Sequence, residues 1–254
     1  MTETVDRAAM RAELLRRRLR GAAGVADAIP AVPRTGPLPL SHAQRRMWLL
    51  DQLRPGGTEY LMTTALRLSG PLDLAALRRA LTEITARHEV LRTRYTLVDG
   101  EPAQVIDPPA PPALAEVDLT TPAVSVPAGS VEPRAGGRSL DTLLRERAVV
   151  PFDLATEHPT RWVLARLGAD EHVLALTVHH IASDGWSEEV LLRELSAGYT
   201  GLPLAPLPVQ YADFAAWQRS RVPAGQVEYW RERLAGVSPL ELPTDRPRPP
   251  VRDF

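Results

Sequence analysis

The sequence contains no cysteine, and that absence excludes a disulfide framework, a thiolate metal site and a cysteine nucleophile. It contains no lysine either. All 30 basic residues are arginine, which removes Schiff-base chemistry and the lysine of a phosphate-binding P-loop. An excess of either charge is also missing, because 30 basic residues face 31 acidic ones and the net charge is -1. Bulk electrostatics therefore give no attraction to nucleic acid or to an anionic membrane. Long apolar runs are lacking too. The N-terminus, with Arg7, Arg11, Arg16, Arg17, Arg18 and Arg20, has no stretch of signal-peptide length, and nothing further on approaches a membrane span. These absences predict a soluble, intracellular, cytoplasmic chain with no nucleic-acid or membrane partner.

What is present is ordinary globular composition: 44% apolar and 24% charged over 254 residues, enough for one large domain or two small ones. Proline, at 25 residues, is about double its average share, and its clusters mark linkers. Val5, Ala8, Ala12, Leu15 and Leu19 form one stripe at helical spacing and predict an amphipathic helix over 4–20. The stretch to Pro39 is too proline-broken for a helix or a central strand. Ser41 and Gln44 form a capping-box pattern that opens a helix through Leu53. A strand over 60–69 follows, then a helix capped by Asp73 that ends near His88. Next come a strand over 91–98, an Asp99-Gly100 turn and a return strand at 104–106. Residues 107–138 lose periodicity and gather prolines, so they read as an irregular surface excursion. Ser139 restarts a helix to about Val150. Strands over 162–167 and 172–180 follow, the second apolar enough to be buried on both faces. Ser187 is the expected cap of the next helix, and helices over 209–220 and 226–235 close the order. The domain reading is a helix and linker over 1–37, a lobe over 38–241 and a proline-rich connector over 242–254.

The most informative segment is His179-His180-Ile181-Ala182-Ser183-Asp184-Gly185-Trp186-Ser187, which puts two imidazoles and a carboxylate between a buried strand and a helix. In α/β architectures that junction is a crevice. Neighbouring strand residues point to opposite faces, so only one of His179 and His180 can face a given cavity. A histidine there can hold a nucleophile or take its proton at neutral pH. The bland reading makes both of them satisfied strand-end histidines and Asp184 a turn or cap residue. If buried, Asp184 would need a cationic partner, and an arginine is the obvious one. A metal site is disfavoured because adjacent histidines splay apart with no third strong ligand nearby. A serine hydrolase is disfavoured because G-x-S-x-G is absent and Ser183 or Ser187 has poor triad geometry beside His180.

His179 to Gly185 resembles the HHxxxDG signature of the condensation domains of nonribosomal peptide synthetases, within the superfamily of chloramphenicol-acetyltransferase-like acyltransferases. Three further segments match in order. Ser41 to Trp48 resembles the family's first motif, Arg87 to Tyr95 its second, and Tyr211 to Gln218, with Trp217, its fourth. The resemblance implies an α/β fold, the N-terminal lobe of a two-layer sandwich with a mixed sheet and flanking helices. It implies amide formation between donor and acceptor thioesters held on phosphopantetheine arms. Upstream and downstream peptidyl carrier proteins would carry those arms, with no cofactor or metal bound by the lobe itself. His180 would be the catalytic residue, as base or positioning group. His179 and Asp184 would be structural, with Asp184 ion-paired to Arg87 or Arg92, and Gly185 would leave room for substrate. Ser183, Trp186 and Trp217 are channel or motif candidates. The forms of the first and third motifs resemble the subclass that joins an L-configured donor to an L-configured acceptor. The family domain is about twice this length, so a C-terminal lobe is the expected missing partner. Two alternatives remain: a noncatalytic carrier-docking module or synthetase remnant, and a small-molecule acyltransferase of the same superfamily. The arginine-rich N-terminal helix either docks to an upstream synthetase protein or solvates the domain's edge.

Overall fold

The computed structural model describes residues 28–120, 139–221, 224–240, 243 and 245–247. The expected helix over 4–20 and most of the 242–254 connector lie outside the described residues. The chain forms two compact units, one up to Ser220 and one from Arg221. The second unit contains one helix, Ala224–Leu234, on which the Tyr229 and Trp230 rings meet edge to face at 5.3 Å.

The first unit is an α/β lobe with two sheets, as the sequence predicts in class. Strand β1 (Leu38–Pro39) leads into α1 (His42–Leu53), then β2 (Leu61–Ser69), α2 (Leu74–Arg87) and a 3-10 turn over Glu89–Arg92. Strands β3 (Thr93–Val98), β4 (Glu101–Ile106) and β5 (Leu114–Asp118) precede α3 (Leu140–Ala148). Strands β6 (Thr160–Arg166) and β7 (Glu171–His179), then helices α4 (Gly185–Tyr199) and α5 (Tyr211–Ser220), complete it. One sheet is antiparallel, in the order β1-β4-β3; the other is mixed, in the order β2-β7-β6-β5, with β5 parallel to β6. The β3–β4 hairpin turns on Asp99 and Gly100, both at positive φ (52° and 81°), as the Asp-Gly pair requires.

Strand β7 is central in the mixed sheet, paired across its full length with β2 and over seven residues with β6. Its alternation builds two cores. Leu174, Leu176 and Val178, with Trp162 and Leu164 of β6, face the cluster that includes Leu77, Leu81 and Ile84 of α2 and Leu191 and Leu195 of α4. Val173 and Ala175, with Val163 and Ala165, face Leu143 of α3. Helices α2 and α4 approach closely at Gly198, where an added Cβ would meet the Ala80 Cβ at 3.2 Å. A larger residue there would require Ala80 to give by a few tenths of an ångström.

Two expectations fail locally. The 107–138 excursion contains β5, because Leu114 and Val117 find an apolar edge on β6 that their own short sequence does not reveal; residues 121–138 lie outside the described set. The strand expected from Leu91 starts at Thr93, since residues 89–92 form the 3-10 turn. Residues Leu38 and Pro39, at the start of the expected lobe, pair with β4 at the sheet edge, where a proline's missing donor is tolerated.

The capping box at α1 reaches beyond its helix. Gln44 accepts from the Ser41 backbone N–H at 3.0 Å, and its amide nitrogen lies 3.2 Å from Tyr95 Oη and 3.3 Å from Gln104 Oε1. Gln104 in turn donates to the Pro39 carbonyl at 2.8 Å, and Ser41 Oγ meets Tyr211 Oη at 3.1 Å. This buried chain ties α1 to the antiparallel sheet and to α5. We expect Gln44→Leu, nearly the same size, to destabilise the chain by about 2–4 kcal/mol in urea unfolding, because several buried polar partners are orphaned together.

Candidate active site

The two histidines leave β7 by different routes. His179 is buried, with its backbone N–H on the Pro159 carbonyl at 2.9 Å and its ring between Tyr60 (6.3 Å) and Phe152 (6.4 Å, edge to face). Its Nδ1 accepts from the Ile181 N–H at 3.0 Å, so the neutral ring carries its proton on Nε2. Burial, with a smaller contribution from His180, pushes its pKa down to about 4. Behind Phe152 lies Arg161, its guanidinium 3.8 Å from the ring centroid and held by Glu157 and the carbonyls of Val150 and Pro151. His179 is a packed, neutral histidine.

His180 lies one residue on, its backbone N–H donating to the Tyr60 carbonyl at 2.8 Å. Its Nδ1 is 2.7 Å from the Ser183 carbonyl oxygen, an atom that can only accept, so Nδ1 carries the proton and Nε2 keeps the lone pair. The ring borders a cavity of about 360 Å³. Gln44 and Met47 of α1, Leu91 of the 3-10 turn, Leu191 of α4 and Tyr211 of α5 are among its walls. Ser183, Asp184 and Trp186 also line it; Ser183 is buried, and Trp186 is 79% exposed. Gly185 needs its glycine for nothing within the described residues, since its φ is ordinary and an added Cβ meets nothing within 4 Å. Trp217 lies away from this cavity, in the α5 row Tyr211–Phe214–Trp217 with ring spacings of 5.5 and 5.9 Å.

Asp184, not Ser187, caps α4. Its Oδ1 accepts from the Ser187 N–H at 2.8 Å and from Ser187 Oγ at 2.7 Å, and these bonds lower its pKa. Among the described residues it forms no ion pair with an arginine. Arg87 instead holds the buried Glu194 of α4 (Nε to Oε2 3.1 Å), and Arg92 donates to the Asp107 carbonyl. The reason is positional: Asp184 is exposed at a helix start, where unpaired backbone N–H groups satisfy a carboxylate without a cation.

Sequence reasoning missed three paired carboxylates, Asp213, Asp107 and Glu194, that hold the lobe's elements together. Asp213, 2% exposed, accepts from the N–H groups of Val32 (2.8 Å) and Gln210 (2.7 Å) and from Arg34 (2.7 Å), while Arg34 also pairs with Glu89. Burial raises the Asp213 pKa, but the Arg34 and backbone hydrogen bonds outweigh it and the net direction is down. Asp107 is clamped through both oxygens by Arg94 at 2.8 Å and meets His158 Nε2 at 2.9 Å, which together push its pKa down to about 2. The signal for Glu194 was present: an acid in a stripe with Leu191, Leu195 and Gly198 demands a partner. Its partners, Arg87 and His88, lie far away in sequence.

Two outcomes check this geometry. His179 is neutral in the folded state and titrates near 4, against about 6.5 unfolded, so its contribution of roughly 3 kcal/mol is present above pH 6.5 and is lost as pH falls to 4. Urea unfolding from pH 7.5 to 4 is expected to show that loss, with a shallower slope in His179→Gln. Asparagine caps helices as well as aspartate does, so Asp184→Asn is expected to stay within about 0.5 kcal/mol of the parent and Asp184→Ala to cost about 1 kcal/mol; an arginine-paired Asp184 would make the asparagine variant the clear loser.

The model of the family described as "Condensation domain" matches residues 35–254. A linear gramicidin synthase of Brevibacillus parabrevis is 45% identical over 237 residues, 89% of this chain and 3% of that protein. The phosphinothricin tripeptide synthetase PhsC of Streptomyces viridochromogenes is 42% identical over 253 residues, 94% of this chain and 22% of the synthetase. Among solved structures, the X-domain from teicoplanin biosynthesis superposes with a TM-score of 0.73 at 36% identity, covering 87% of this chain and 49% of that one. The first condensation domain of the calcium-dependent antibiotic synthetase, solved with a substrate analogue, gives 0.61 at 27% identity over 79% of this chain and 46% of its own. The chain thus spans about half the length of these solved domains and a small part of the synthetases. A family match across nearly the whole described lobe, with the HHxxxDG segment seated at the end of its central strand, makes this chain a member of the condensation-domain family.

Proposed function

We propose that this chain takes part in amide formation between two carrier-bound thioesters. The amino nitrogen of an acceptor aminoacyl group attacks the donor thioester carbonyl; a C–N bond forms, the C–S bond breaks and the donor arm's thiol departs. A thioester is already activated, so most of the task is to place the amine and relieve it of a proton. The observation that carries the reading is the fixed tautomer of His180, whose Nδ1–H rests on the Ser183 carbonyl while Nε2 keeps its lone pair in a ring that borders the cavity. That nitrogen orients the amine, takes the proton as the C–N bond forms and returns it to the leaving sulfur. Both reactants arrive on phosphopantetheine arms, delivered by upstream and downstream peptidyl carrier proteins. The opposite wall comes from a segment equivalent to the other half of the solved domains. The open space at Gly185 leaves room for an arm, and the Trp186-Ser187 form of the motif supports an L-configured donor and acceptor.

A second reading is favoured by one finding. A structural neighbour at TM-score 0.74 and 36% identity is the X-domain from teicoplanin biosynthesis in complex with OxyB, which supports a binding role for this chain as well. In that reading the chain binds a partner and does not turn over.

His180→Ala in the native protein, supplied with loaded donor and acceptor carriers, is expected to lower amide formation by about 100-fold while thermal unfolding is unchanged. Equal rates would overturn the role of His180. Carrier binding without any product from the parent protein would favour the docking reading.

A further inference from the structure

A second imidazole borders the same cavity from the opposite side in sequence. His88 caps the C-terminus of α2, and its Nε2 lies 2.6 Å from Oε2 of Glu194 on α4. Glu194 is 7% exposed and also accepts from Arg87 Nε, at 3.1 and 3.2 Å. Gln210 fixes the backbone on both sides of His88, donating to the Arg87 carbonyl at 2.8 Å and accepting from the Glu89 N–H at 3.1 Å. A carboxylate paired with arginine only accepts, so Nε2 of His88 carries a proton, and the neutral form of the ring has its lone pair on Nδ1. Nδ1 makes no hydrogen bond among the described residues and is not among their buried, unpartnered atoms. Arg87 alone would neutralise Glu194. The imidazole adds something that charge pairing does not need: a carboxylate-oriented ring, on a residue that lines the cavity, whose Nδ1 is not engaged by any described residue.

We propose that His88 is a substrate-binding residue whose Nδ1 accepts a hydrogen bond from an N–H of the thioester-tethered acceptor, with Glu194 and Arg87 as positioning residues that hold its tautomer. The inference rests on the carrier-bound amide-forming reading and deepens it. The N–H belongs either to the acceptor's amino group or to an amide of the phosphopantetheine arm.

Two isosteric changes separate binding from scaffolding. His88→Gln places an amide at the Nε2 position and keeps the Glu194 contact, but leaves nothing at Nδ1. His88→Asn places an amide at the Nδ1 position and gives up Glu194. In the native protein, His88→Gln is expected to raise the KM for aminoacyl carrier about 10-fold with kcat and melting temperature near the parent's, and His88→Asn to stay within about 3-fold. Glu194→Gln should turn its amide N–H toward His88 Nε2, move the ring proton to Nδ1 and raise KM similarly. The 15N shifts of the labelled His88 ring read that tautomer directly, and an unmoved proton would overturn the positioning role. A parental KM in His88→Gln, or rescue by glutamine and not by asparagine, would overturn the proposal and leave His88 a structural ligand of Glu194. If the parent protein forms no amide, the amide-forming reading fails, and the dissociation constant for carrier decides about His88. A rise of about 10-fold in His88→Gln with the unloaded phosphopantetheinyl carrier assigns the N–H to the arm, a rise with the aminoacyl form only assigns it to the amine, and no rise with either overturns the proposal.

Discussion

Strand β7, hydrogen-bonded on both edges and packed on both faces, cannot slip by one residue without turning its apolar set inside out. That constraint sets everything at the site. With Leu174, Leu176 and Val178 committed to the α2–α4 core and Val173 and Ala175 to the α3 core, the strand's last residue falls on the α3 side and the next on the cavity side. His179 is therefore dry and neutral, and His180 lines the cavity. The division of labour between two identical side chains is a matter of parity.

The remainder of the site is built by helix ends. The carboxylate of Asp184 starts α4 immediately after the histidines, and ten residues later the same helix returns Glu194 to the end of α2. The tight approach at Gly198 and Ala80 fixes the distance between those helices. Gln210 and Asp213, at the entry to α5, then tie down the turn after α2 and the lead-in at Val32 and Arg34. Buried charge is expensive unless it is paired and hydrogen-bonded, and Glu194 and Asp213 draw their cationic partners from far away in sequence. The polar frame around the cavity thus acts as a set of long-range clasps, while the cavity wall is largely apolar: Met47, Val90, Leu91, Val190, Leu191, Leu207.

The family relation gives these clasps a context. Solved domains of about twice the length share this lobe at 36% identity, one of them in complex with another protein. A shared scaffold does not by itself fix what such a domain does, because function is carried by the site and not by the fold.

Local and short-range features were legible in the sequence. Periodicity located β2, α2 and β7, the Asp-Gly pair fixed the hairpin, and the Ser41-Gln44 and Ser139 caps started their helices where expected. The motif order identified the family. What stayed hidden depends on partners far along the chain. β5 is a strand only because β6 offers an edge, Arg87 and Arg92 are held by Glu194 and the Asp107 carbonyl and not by Asp184, and Glu194 is tolerable only where α2 ends beside it. Spacing in sequence determines which face a side chain takes on its own element; which charge meets which is decided by the packing of elements, because electrostatic satisfaction inside a protein is a property of space and not of order along the chain.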